Sequence, residues 1–66
     1  MTQICLNGET HEIESGFTVA ALVASLALQG RFAVEVNGAI LPRSRFSEYH
    51  LAPNDKVEIV RAIGGG

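Results

Sequence analysis

Few residues in this 66-residue sequence are of types that do chemistry, and their spacing speaks against the usual sites. Cys5, His11 and His50 are its cysteine and histidine complement, and none stands in a C-x-x-C or H-x-x-x-H interval that would bring two ligands onto one ion, so no metal site is expected. Ser15, Ser25, Ser44 and Ser47 lie outside any nucleophile-elbow pattern, and neither histidine has a recognisable partner. Cys5 alternates onto the face opposite Ile4 and Leu6 and, with no basic neighbour in sequence, reads as a small buried or half-buried thiol and not a reactive one. Gly8, Gly16, Gly30 and Gly38 fall where turns and caps need them, and none belongs to a G-x-G-x-x-G or Walker pattern. A free-standing enzyme is therefore not expected, and neither is a bound cofactor.

What remains is the end of the sequence, Ala62-Ile63-Gly64-Gly65-Gly66. Glycine loses more backbone entropy on ordering than any other residue. Residues 62–66 are accordingly expected as a flexible tail on a single domain spanning 1–61. Without side chains, Gly64 and Gly65 can thread a narrow channel and carry a carboxylate on Gly66 to a buried site. A carboxylate is a poor electrophile. An ATP-using partner that converts it to an acyl-adenylate makes it a good one, and a sulfur nucleophile can then displace AMP. The alternative reading is an ordinary terminus with no task.

Such a tail needs a firm base, and the composition limits what that base is. A chain this short buries only about 60% of the surface it exposes when unfolded. A single cysteine rules out an internal disulfide, so stability must come from packing. With 47% hydrophobic and 6% aromatic residues, the composition allows that. The formal charge is −2, and Arg31, Arg43, Arg45, Lys56 and Arg61 are too scattered for a nucleic-acid footprint. Arg43 and Arg45 are read as flanking a single turn. The longest apolar run, Val19 to Leu28, is interrupted by Ser25 and too short for a bilayer, so no membrane partner is expected. No signal-peptide pattern opens the sequence, and a cytoplasmic, reducing location is the expectation.

The local patterns then give the order β-β-α-β-β-(loop)-β. Thr2 to Asn7 alternates with Ile4 and Leu6 on one face, the period of a half-buried strand. Asn7-Gly8 is a hairpin signal, and Glu9 to Glu14 runs back with Ile13 inward. Ser15-Gly16 breaks that strand. Thr18 is an N-cap, and Phe17 stands at staple spacing from Leu22. Val19, Leu22, Val23 and Leu26 make one apolar helical stripe, with Gly30 as its left-handed stop. Phe32, Val34 and Val36 alternate as a third strand. Asn37-Gly38 turns into a short strand, Ala39 to Leu41, that Pro42 ends. Residues 43–50 lack a period and read as an irregular crossover with room for one helical turn. Pro53-Asn54-Asp55 is a turn, and Lys56 to Arg61 is the last strand with Val57 and Ile59 inward. Two hairpins and one helix predict an α+β domain, a single sheet with the helix packed across one face, and the connection through the helix is long enough for a right-handed crossover between parallel strands.

The stretch Val36-Asn37-Gly38-Ala39-Ile40-Leu41-Pro42-Arg43, then Phe46, then Asn54 to Val60 and the closing Gly65-Gly66, resembles the sulfur-carrier family of the thiamine pathway (ThiS). Ile4-Cys5-Leu6-Asn7-Gly8 and Phe17-Thr18-Val19 are similar too, so the resemblance covers essentially the whole chain. It implies a ubiquitin-like β-grasp fold, a mixed sheet of four to five strands with one main helix across one face and the last strand beside the first, near the centre of the sheet. It also implies that the carboxylate matching Gly66 is adenylated by a ThiF-type adenylyltransferase and converted to a thiocarboxylate. That group then gives its sulfur to a ThiG-type thiazole synthase, ATP and the sulfur donor being used by the partners. Three positions depart from the family pattern: Gly64 precedes the diglycine, Asn54 stands where glycine is common, and Phe46 where tryptophan is common.

Glu58 and Val60 point away from Val57 and Ile59, so Val60, Ala62 and Ile63 form an apolar streak leading to the tail. They are the candidate docking patch, the alternative being ordinary packing against nearby loops. Two further readings of the chain stand beside the first. One is the small subunit of molybdopterin synthase (MoaD-like), whose members tend to be longer and to carry prolines where this chain has Arg61-Ala62-Ile63. The other is a non-catalytic ubiquitin-like interaction module that never uses its terminus.

Overall fold

Asn7 and Gly8 adopt φ of 49° and 82°, and Asn37 and Gly38 adopt 54° and 88°. Positive φ at both central positions is what a two-residue type I′ hairpin requires, and its twist suits the strands on either side. These turns set the architecture of the computed structural model, which describes residues 1–61. The first joins β1 (Thr2–Leu6) to β2 (Glu9–Ile13), and the second joins β3 (Phe32–Val36) to β4 (Ala39–Leu41). Helix α1 (Val19–Ser25) lies between the hairpins. After β4 come a 3-10 turn over Arg43–Arg45 and the last strand, β5 (Lys56–Arg61).

The sheet order is β2-β1-β5-β3-β4, with β5 parallel to β1 and antiparallel to β3. The last strand in sequence is thus the central strand in space. The α+β plan expected from the sequence is the one observed, and strand limits agree within a residue. Ile4, Ile13, Val34, Val36 and Val57 line the inner face of the sheet and share one core with Val19, Leu22, Phe46 and Leu51. Phe17 and the half-buried Val23 and Leu26 pack against the same core, as their spacing predicts.

The helix is short, so its unpaired N-terminal donors matter. Thr18 caps it as expected, its Oγ1 accepting from the Ala21 amide at 3.1 Å. The two preceding amides find partners that the sequence does not announce: Val19 N donates to the Tyr49 carbonyl and Ala20 N to that of Phe46, both at 3.0 Å. Residues 46–49, which have no period of their own, therefore complete the helix cap. That is a structural task for an irregular segment.

The helix end differs from expectation. It stops at Ser25 with Leu26 as C-cap, and the left-handed residue is Ala27, at φ 52°. Gly30 also has positive φ, 79°, but lies in the turn that leads into β3. Leu26 packs against the core at the helix end, and residues 26–31 carry the chain from the helix to Phe32. The cost is a Cβ in left-handed backbone, worth about 1–2 kcal/mol before the unfolded state is considered. Ala27→Gly should remove it and, after the entropy glycine adds to the unfolded chain, stabilise the domain by about 0.5–1 kcal/mol. Urea denaturation measures this, and an unchanged or lower midpoint would speak against a strained Ala27.

Candidate functional site

β5 is the base from which residues 62–66 leave, and its surroundings explain how firmly it is held. Val57 is fully buried and Ile59 half-buried on the core side, while Glu58 and Val60 face outward. Pairing with β3 continues to the last residue of the strand, Phe32 opposite Arg61 and Ala33 opposite Val60. The chain is therefore in register to Arg61, the last of the described residues.

Both hairpin asparagines add to this hold. Asn7 Oδ1 accepts from the Ile59 amide at 2.8 Å, and Asn7 N donates to the Val57 carbonyl at 2.9 Å. On the other side, Asn37 Oδ1 accepts from the Lys56 amide at 2.9 Å, and Asn37 N donates to the Lys56 carbonyl at 2.7 Å. The buried Asp55 carboxylate accepts from Asn37 Nδ2 at 3.0 Å and from the Ala52 amide at 2.9 Å. Both of its oxygens are satisfied, as a buried carboxylate requires. The sequence marks both asparagines as turn formers; that their side chains reach β5 becomes visible only in the fold.

The outer face of the sheet carries no helix. Val60 is exposed there, at 51%. A depression of about 270 Å³ surrounds it, lined by Arg31, Phe32, Ala33, Val60 and Arg61. The Arg43 guanidinium stacks 5.2 Å from the centroid of the Phe32 ring. Of the proposed patch, Val60 alone lies among the described residues, where it faces outward. Ala62 and Ile63 lie outside the described residues, as do Gly64, Gly65 and Gly66. Arg31, Phe32 and Ala33 were not candidates in the sequence. They join Val60 because β3 pairs with β5, which no local pattern encodes.

Farther along the same face, Glu35 and Glu58 stand directly opposite each other in the β3–β5 register. They line a second depression of about 440 Å³ with Asn37, Gly38 and Lys56. The other reactive side chains stay apart. Cys5 is half-buried on β1, and His11 lies on β2 opposite Ile4. His50 Nδ1 is 2.9 Å from the Gly16 carbonyl oxygen; since that oxygen can only accept, Nδ1 carries the proton and the ring clasps the loop to the helix entrance. Among the described residues, no group of three or more His, Cys, Asp or Glu side chains is placed to hold a metal ion, and no helix is long and apolar enough to cross a membrane.

Comparison with known proteins adds the family. The model described as the ThiS family matches residues 3–66. Relatives named thiazole synthase, from Paramagnetospirillum magneticum and Magnetococcus marinus, are each 38% identical over 65 residues, covering 97% of this chain and 20% of their own length. The chain thus spans one fifth of these curated relatives. The uncharacterized protein ycf40 of Porphyra purpurea is 33% identical over 64 residues, covering 96% of this chain and 90% of its own. Among solved structures, the crystal structure of the thiamine biosynthesis protein (ThiS) from Geobacter metallireducens aligns with a TM-score of 0.82 at 26% identity, covering 98% of this chain and 100% of that one.

Proposed function

Because this chain belongs to the ThiS family, we propose that it is a sulfur carrier protein of thiamine biosynthesis, acted on by partner enzymes and not itself a catalyst. The match of residues 3–66 to that family is the observation that carries the reading. The geometry is consistent with it: a strand held on both sides leads into a segment whose last three residues are glycine.

In this mechanism the chain supplies a handle. Gly66 presents its carboxylate, and Gly64 and Gly65 pass through the partner's channel without side chains to obstruct it. A ThiF-type adenylyltransferase uses ATP to convert the carboxylate to an acyl-adenylate, releasing pyrophosphate. A sulfur donor displaces AMP and leaves a thiocarboxylate. The thiocarboxylate sulfur is then delivered to a ThiG-type thiazole synthase for the thiazole ring. The names of two relatives support the choice of this branch over molybdopterin synthesis. The proposed organisation is one domain, residues 1–61, with residues 62–66 as the working tail.

Intact-mass measurement tests the reading. After incubation with ATP, a ThiF-type enzyme and a sulfur source, the mass should rise by the difference between one sulfur and one oxygen. A mass that stays at the carboxylate value under conditions that load another ThiS protein would overturn it.

The docking patch is tested separately. Val60 is exposed on the outer face, so Val60→Asp should cost the fold under about 1 kcal/mol. Placing a charge in an apolar contact should nevertheless weaken binding to the activating enzyme by about tenfold or more. Calorimetry with matched unfolding curves separates the two effects, and equal affinity for variant and parent would remove Val60 from the interface.

A further inference from the structure

Both hairpin turns are Asn-Gly pairs, and this dipeptide is chemically labile because a following glycine places no side chain in the way of attack by its own backbone nitrogen. In that reaction the glycine nitrogen bonds to the asparagine Cγ, the bond from Cγ to the side-chain nitrogen breaks, and ammonia leaves with the proton from the backbone amide. Water then opens the five-membered succinimide to aspartate or isoaspartate. Solvent is the only other reactant.

The fold surrounds the two asparagines differently. Asn7 uses its side-chain oxygen, accepting from the Ile59 amide, while among the described residues its Nδ2 has no protein partner. Replacing that NH2 by oxygen leaves the acceptor in place, and a charged acceptor bonds an N–H more strongly than a neutral one. Asn37 uses both ends of its amide: Oδ1 accepts from Lys56 N at 2.9 Å, and Nδ2 donates to Asp55 Oδ1 at 3.0 Å. There the same replacement turns a donor into an acceptor that faces a buried carboxylate. The surroundings do not relieve this conflict, because Glu35 and Glu58 line the same depression and Lys56 is the single cation among its lining residues.

We infer that Asn37-Gly38 is a spontaneous deamidation site that works as a one-way latch on β5, protected while the domain is folded and incompatible with closure once converted, whereas the aspartate product at Asn7-Gly8 keeps its acceptor for the Ile59 amide and with it the fold. The inference is independent of the carrier reading. It concerns whether the base of the tail stays in place as the protein ages.

Two measurements test it on the full chain. The protein is incubated in mildly alkaline buffer, folded or in strong denaturant, and each Asn-Gly site is followed by peptide mapping. In the folded protein Asn7 should convert ahead of Asn37, and in denaturant the two rates should converge. Equal rates in the folded protein would overturn the protection. The second measurement compares variants at neutral pH. Asn7→Asp should leave the unfolding midpoint unchanged or raised, while Asn37→Asp should lower the folding equilibrium constant roughly tenfold or more. Combining Asn37→Asp with Asp55→Asn exchanges donor and acceptor across the same contact and should recover most of that loss. An Asn37→Asp variant as stable as the parent, or a double variant no better than Asn37→Asp alone, would overturn the latch.

Discussion

Adding a single residue after Gly66 is expected to abolish sulfur loading while leaving the folded domain unchanged. On the proposed mechanism the reacting group is the carboxylate of Gly66. An extra residue moves that group by one residue length and converts the Gly66 carbonyl into an unreactive amide. A displacement of about 1 Å at a reacting centre already costs on the order of a hundredfold in rate, so the extended chain should show no thiocarboxylate above background. Removing Gly65 and Gly66 should do the same by shortening the reach. Among the described residues the buried core runs from Ile4 to Val57 with Ile59 packed against it, so neither change alters a core residue, and the thermal unfolding curves should superimpose on that of the parent. The assay is single-turnover loading followed by intact mass, with thiazole formation as the downstream readout. Thiazole formation by the extended chain at the parental rate would end the carrier reading, and unimpaired function in a binding assay would favour an interaction module.

The second large effect is on stability. Leu22 is fully buried under the sheet and belongs to the same core as Val19, Val34 and Val57. Leu→Ala at such a site removes transfer energy and leaves a cavity, together about 2–5 kcal/mol. A domain of this size has on the order of 3–10 kcal/mol in total. Leu22→Ala should therefore consume a large share of the stability, from about a fifth to all of it, and lower the denaturation midpoint accordingly. Val23→Ala, at a half-buried position, should cost clearly less. Chemical denaturation with both variants makes the comparison, and a Leu22→Ala cost below about 1 kcal/mol would mean that the helix is not seated as described.

Together these expectations divide the molecule by role. The core holds a small body together without a disulfide, and the asparagine contacts tie Lys56, Val57 and Ile59 of β5 to the two hairpins. Loss of Leu22 should depress every activity through folding, whereas extension past Gly66 should depress loading alone. The surface ion pair Arg45–Glu48, at 3.8 Å with both side chains two-thirds exposed, should matter to neither.

Alternating apolar residues, two Asn-Gly pairs and a capped apolar stripe were enough to give the five strands, the helix and their order, because each of those signals is local. Period two and period 3.6 are properties of neighbouring side chains, and a type I′ turn is chosen by the two residues at its centre. The family resemblance and the candidate role of Gly66 were legible for the same reason, since they rest on residue identities in line. Gly30 misled because a glycine is the cheapest left-handed residue but not the one required: the helix ends at Ser25 with Leu26 as its cap, and Ala27 takes the left-handed conformation. The depression beside Val60, the helix amides capped by Tyr49 and Phe46, and the reach of Asn37 to Asp55 were decided by tertiary structure alone. Each joins residues far apart in the chain, and such contacts are set by which strands pair and how the sheet twists, quantities that no short window of sequence contains.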